Sequence, residues 1–95
     1  MRQPCKVIIT PFAEKQMKKL PKAMLEHIRY LAESVEHSGM AEVRKLPGYH
    51  DEPLKGQRKG QRSIRLNRAY RLIYEQDTSG ELVIVAVLEV SKHEY

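Results

Sequence analysis

Glu52 and His50 precede a run of basic residues that includes Arg65 and Arg71, and His93 and Tyr95 lie at the end of the chain. Cleaving RNA through its own 2′-hydroxyl needs a base for that hydroxyl proton, cations for the phosphorane-like transition state and an acid for the departing 5′-oxygen. Carboxylate, imidazole and guanidinium groups cover all three needs, and the chemistry requires no metal. No Cys/His grouping has the spacing of a zinc site, and no cofactor is expected. The same side chains also decorate ordinary protein surfaces, so their meaning depends on whether the fold gathers them.

Two strand-like runs must position the arginines. Ile64 and Leu66 alternate with Ser63 and Arg65, and Tyr70, Leu72 and Tyr74 alternate with Arg71 and Ile73, the period-two pattern of half-buried strands. If Asn67, Arg68 and Ala69 form a three-residue loop, Leu66 faces Tyr70, Ile64 faces Leu72 and Arg65 faces Arg71. A two-residue loop would instead put Arg71 among Ile64 and Leu66, where an unpaired guanidinium costs roughly several kcal/mol. The first register is therefore predicted. It leaves Ser63, Arg65 and Arg71 on one polar face and sends Tyr70 and Tyr74, which share the parity of Leu72, into the core.

Earlier in the chain, Lys6 to Thr10 reads as a first strand, and Thr10 followed by Pro11 reads as the start of a helix carrying Ala13, Met17 and Leu20 on one face. Pro21 ends it and opens a second helix with the apolar stripe Met24, Ile28, Leu31 and Val35, which Ser38-Gly39 stops. His27 is expected at the surface or flank of this pair. Ala41 to Leu46 reads as a short strand or extended segment, and Tyr49 to Gly60 as a loop long enough to suggest a function. Leu82 to Leu88 is an unbroken apolar run, predicted to be the central strand and buried on both faces, with the tail emerging near the basic face. One domain over 1–95 is expected, of the α+β class, with two N-terminal helices packed on a small, mostly antiparallel twisted sheet.

Charge points to a polyanionic partner. The 95 residues carry 17 Lys and Arg against 12 Asp and Glu, a formal net charge of +5. Between Lys55 and Arg71 there are seven basic residues and no acid, whereas Asp77 to Tyr95 holds four acids and one lysine. Clustering of that kind suits phosphate contacts, with Lys55, Arg58 and Lys59 against an RNA backbone, although a solvated basic face has the same composition. Cys5 is the single cysteine, so no internal disulfide forms and a reducing, cytosolic setting is expected. No apolar run approaches the ~20 residues that span a bilayer, and no signal peptide is evident.

Glu52-Pro53-Leu54-Lys55, the Gly60-to-Arg65 run, Ala69-Tyr70-Arg71-Leu72-Ile73-Tyr74 and the terminal His93-x-Tyr95 resemble the RelE/ParE toxins of bacterial toxin–antitoxin pairs. The order of helices and strands is similar too, over nearly the whole chain. The resemblance is strongest to the YoeB-like and related messenger-RNA interferases. It implies a RelE-like fold, a ribosome-dependent endoribonuclease that cuts messenger RNA in the A site, and a cognate antitoxin as partner. It also implies that Glu52 is the general base, Arg71 the phosphate-binding arginine, Arg65 a basic residue beside it and His93 the acid. Tyr95 would bind substrate, though Glu94 separates it from His93 where YoeB-like tails put the aromatic directly after the histidine. Two other readings share these features: a ParE-like, non-enzymatic inhibitor of DNA gyrase, and a nucleic-acid-binding module that does not cut.

Overall fold

Thr10 Oγ1 accepts a hydrogen bond from the Ala13 amide at 3.1 Å, and Pro11 takes the first helical position, where its missing N–H costs nothing. The chain thus passes from strand β1 (Val7–Ile9) into helix α1 (Pro11–Met17) at the predicted cap. The computed structural model describes residues 6–46, 48–76 and 80–89. Helix α1 ends at Met17, earlier than expected, and Leu20 packs against the core from the turn that follows. Pro21 caps helix α2 (Lys22–Ser38), whose Met24, Ile28, Leu31 and Val35 are all buried. Gly39 ends α2 at φ 84, a left-handed angle that favours glycine.

The segment from Ala41 to Leu46, expected to be extended, belongs instead to a further helical turn, α3 (Met40–Val43), and the bend after it. Met40 and Val43, three residues apart, are buried together on its inner side. Tertiary burial of the Met40–Val43 pair favours the helical turn over the extended form expected for this segment.

Four further strands complete a five-stranded sheet: β2 (Glu52–Pro53), β3 (Arg62–Arg65), β4 (Tyr70–Gln76) and β5 (Leu82–Glu89), in the spatial order β1-β5-β4-β3-β2. Only β1 and β5 run parallel, and the other neighbours are antiparallel. Ile64 faces Leu72 and Arg65 faces Arg71, as the three-residue loop predicts. Asn67 Oδ1 closes that loop by accepting from the Ala69 and Tyr70 amides at 2.7 and 2.8 Å.

One face of the sheet carries Ile64, Leu66, Leu72, Tyr74, Leu82, Ile84 and Val87 into a single core with the buried stripes of the helices. Ile64 and Leu72 are fully enclosed, and burial of each contributes roughly 1.5–3 kcal/mol. Strand β5 lies inside the sheet as expected, yet Val83, Val85 and Leu88 are only half-buried, so it is not enclosed on both faces. A bulge also interrupts its alternation. Ile73 pairs with Ala86 and Tyr74 with Ile84, leaving Val85 as an extra residue, and its carbonyl accepts from Thr10 Oγ1 at 3.1 Å. The bulge shifts the parity of β5, so that Leu82, Ile84 and Val87 all meet the helices.

Candidate functional site

The second face of the sheet, away from the core shared with the helices, carries three of the predicted residues, Glu52, Arg65 and Arg71. Directly opposed residues share a face, so the pairings Glu52 with Ser63, Ser63 with Ile73, and Ile73 with Ala86 make one row across four strands. Ser63, Ile73 and Ala86 are buried and form its floor. Glu52 stands exposed at the edge. Arg65, Arg71 and Leu88 form the adjacent row, and Arg71 leans back across it until Nη1 is 3.5 Å from Ser63 Oγ. The guanidinium therefore sits over the residue that faces Glu52.

Electrostatics favour an anion at this point. Arg65 and Arg71 are half-buried, and among the described residues neither forms an ion pair. Two always-charged guanidinium groups held side by side without a carboxylate repel each other until an anion joins them. Glu52 likewise has no ion-pair or side-chain hydrogen-bond partner among the described residues, and in particular none with Lys55 or Arg58. A free carboxylate next to paired cations can exchange a proton beside a bound phosphate.

Lys55, Arg58 and Lys59 lie elsewhere. The stretch expected to be an irregular loop contains β2 and a 3₁₀ turn, Gly56–Arg58, and these three cations stand around that turn at the opposite end of β3 from Arg65. Arg58 donates through Nη1 to Gln61 Oε1 at 2.9 Å, while Lys55 and Lys59 are exposed. The length of β3, about 10 Å from Arg62 to Arg65, lies between them and Arg65, so the cations form a basic track rather than one cluster. His93 and Tyr95 lie outside the described residues. The chain reaches them from Glu89, which pairs with Tyr70 beside Arg71.

A cleft of about 610 Å³ opens at the Asn67 end of β3, with Arg65 and Arg68 on its rim and Leu46, Tyr49 and Leu66 in its wall. His27, half-buried on the flank of α2, lines the same cleft with its ring centroid 6.1 Å from that of Tyr49. Burial pushes the Tyr49 phenol above its ordinary pKa, and Tyr30 adds to the shift.

Sequence reading missed Asp51. Its side chain is only 1% exposed, it accepts from Arg62 Nε and from the Tyr74 hydroxyl, and Arg44 Nε stands 3.7 Å away. A signal was available. The predicted hairpin register, extended by two pairs, sets Arg62 opposite Tyr74 on the buried face, and a cation there requires a nearby carboxylate. Burial lowers the Arg62 pKa, but the hydrogen bond and charge of Asp51 outweigh it and leave the guanidinium above its ordinary value.

The same contacts make Tyr74 sensitive to alkali. Burial first, and then the hydrogen bond to Asp51, push its phenol from 10.0 up to about 12, while Arg44 opposes the shift. A phenol with a folded pKa above its unfolded one adds stability at every pH below 10, and that contribution is lost as pH rises to about 12. Between pH 9 and pH 12 the unfolding free energy is expected to fall about 2 kcal/mol further in the wild type than in Tyr74→Phe. Urea melts of both proteins at pH 9 and pH 12 check this, and equal losses would remove Tyr74 as the titrating group.

Comparison with known proteins agrees with this architecture. A family model, described as the ParE toxin of type II toxin–antitoxin systems, parDE, matches residues 7–93. A search of curated proteins finds no match. Among solved structures, YafQ from Escherichia coli strain BL21(DE3) is 18% identical, with 96% of this chain and 99% of that one covered and a TM-score of 0.73. A chain of the RelBE2 toxin–antitoxin complex from Mycobacterium tuberculosis is 24% identical over 93% of this chain and 100% of its own, with a TM-score of 0.69. A chain of the YoeB–YefM complex from Staphylococcus aureus is 23% identical over 94% and 100%, with a TM-score of 0.67. At these identities the likeness is one of fold.

Proposed function

Since this chain belongs to the ParE toxin family of type II toxin–antitoxin systems, we propose that it is a toxin that blocks translation as a metal-independent endoribonuclease, cutting messenger RNA in the ribosomal A site. The observation that carries this reading is the unpaired Arg65–Arg71 couple, with Arg71 reaching over Ser63 toward an equally unpaired Glu52. Glu52 takes the proton from the 2′-hydroxyl, the freed oxygen attacks the adjacent phosphorus, and the bond from phosphorus to the 5′-oxygen breaks. Arg71, with Arg65 beside it, neutralises the charge that builds on the non-bridging oxygens. His93 gives a proton to the 5′-oxygen, leaving a 2′,3′-cyclic phosphate and a 5′-hydroxyl. Three residues lie between it and Glu89, a span of at most about 14 Å, which is enough to return to Arg71. Lys55, Arg58 and Lys59 hold the RNA backbone along the track, and Tyr95 contacts substrate.

His93→Gln keeps a polar side chain but cannot donate that proton. Cleavage is expected to fall about 10²-fold with ribosome binding unchanged, as read by single-turnover rates and co-sedimentation. A variant that cuts at the wild-type rate would make His93 a bystander.

The partner is a cognate antitoxin. The RelBE2 and YoeB–YefM structures are toxin–antitoxin complexes, and the acid-free stretch from Lys55 to Arg71 suits an acidic or amphipathic segment that folds as it binds.

The matched family itself favours a second reading, in which the fold inhibits DNA gyrase through protein contacts without catalysis. One pair of assays separates the two. Purified protein is added to programmed ribosomes with mapping of messenger-RNA ends, and to gyrase with measurement of supercoiling. Cuts within A-site codons and normal supercoiling are expected, whereas intact RNA and blocked supercoiling would reverse the assignment.

A further inference from the structure

Strand β2 is poorly held by its own backbone. It is two residues long, lies at the edge of the sheet, and one of its residues is Pro53, which has no N–H to donate. The chain enters it through His50 at φ 46, a left-handed conformation that is strained for a residue with a side chain. Backbone bonds flank it on either side, from the Arg65 amide to the Tyr49 carbonyl at 2.7 Å and from the Leu54 amide to the Gln61 carbonyl at 2.9 Å. A slip of one residue would turn Glu52 toward the helices and Asp51 onto the open face.

Asp51 opposes that slip. Its carboxylate is buried, and its partners come from three separate segments: Arg62 from β3, Tyr74 from β4 and Arg44 from the turn after α3. Arg62 Nη2 also lies 3.5 Å from the Asp51 carbonyl oxygen, so a single guanidinium holds both the side chain and the backbone of Asp51. Out of register, the carboxylate would leave Arg62 with no counter-charge and Tyr74 with a buried, unsatisfied hydroxyl. Within a strand, alternate residues point to opposite faces, so anchoring Asp51 inward directs Glu52 outward.

We propose that Asp51 is a positioning residue, whose buried ionic clamp with Arg62, Tyr74 and Arg44 fixes the register of β2 and so holds the Glu52 carboxylate on the open face beside Ser63 and Arg71. Asp51 then governs activity without touching RNA. The link to activity rests on the reading of Glu52 as the base, whereas the link to register does not.

Two measurements on the full chain separate these links. In the first, amide hydrogen exchange is followed residue by residue in Asp51→Asn, which keeps the shape of the side chain and removes its charge. The Leu54 and Arg65 amides are expected to lose protection at least about tenfold, while α2 and the β4–β5 pairing change less than about twofold. No loss at Leu54 and Arg65, or an equal loss throughout the sheet, would overturn the proposal. If Asp51→Asn does not fold, Tyr74→Phe removes one donor with little change in packing and is judged by the same pattern. In the second, Glu52→Gln is added to Asp51→Asn. Its effect on the cleavage rate is expected to shrink at least tenfold relative to the wild-type background, because a displaced base has less to lose, and full additivity would overturn the proposal. Should the wild type prove unable to cut RNA while the exchange pattern is as expected, the clamp stands and the ribonuclease reading falls.

Discussion

Arg71→Ala is expected to lower the single-turnover rate of RNA cleavage by about 10²–10³, the usual effect of removing one preorganised donor from a transition state. The hairpin register puts the Arg71 guanidinium on the open face, opposite Arg65 and 3.5 Å from Ser63 Oγ, and it contributes nothing to the cluster of buried side chains beneath the helices. The fold should therefore survive, with an unchanged circular dichroism spectrum. Arg71→Lys keeps the charge but not the planar fork that can hold two phosphate oxygens at once, and should recover only part of the rate. Wild-type cleavage by a folded Arg71→Ala protein would mean that the scissile phosphate binds elsewhere.

Glu52→Gln should cost more, about 10²–10⁴ in rate, since proton transfer by a positioned base is lost while shape and hydrogen-bonding capacity are kept. Glu52 is exposed and unpaired among the described residues, so its replacement leaves no stranded partner and should leave stability unchanged. Single-turnover rates on programmed ribosomes check this, and wild-type cleavage by a folded Glu52→Gln protein would exclude Glu52 as the base.

Side-chain parity made the centre of this fold readable. Arg65 and Arg71 had to share a face because the alternative register buries a guanidinium among Ile64 and Leu66, and the observed pairing follows. Thr10-Pro11 and Ser38-Gly39 marked helix ends for local reasons, a side-chain acceptor and a left-handed glycine, that hold whatever packs around them. Features set by long-range contacts were hidden. The bulge at Val85 leaves no trace in an unbroken apolar run, because every residue there suits either face. The turn of α3 depends on burying Met40 and Val43 together, which short-range propensity does not register. Strand β2 is too short and too polar to show a period, and Asp51, beside the more conspicuous Glu52, takes its meaning only from Arg62, Tyr74 and Arg44. The candidate site was legible to the extent that it rests on strand parity, namely Arg65 facing Arg71, whereas the place of Glu52 opposite Ser63 depends on β2, within a stretch that reads as a loop.

The chemistry of the cut ends tests an RNA-cleaving open face most directly. Messenger RNA recovered from programmed ribosomes after brief exposure to the protein is analysed for its end groups. Attack by the 2′-hydroxyl, with Glu52 as base and Arg71 at the phosphate, predicts a 2′,3′-cyclic phosphate on the upstream fragment and a 5′-hydroxyl on the downstream one. Fragments ending in a 3′-hydroxyl and a 5′-phosphate, or RNA left whole, would contradict it.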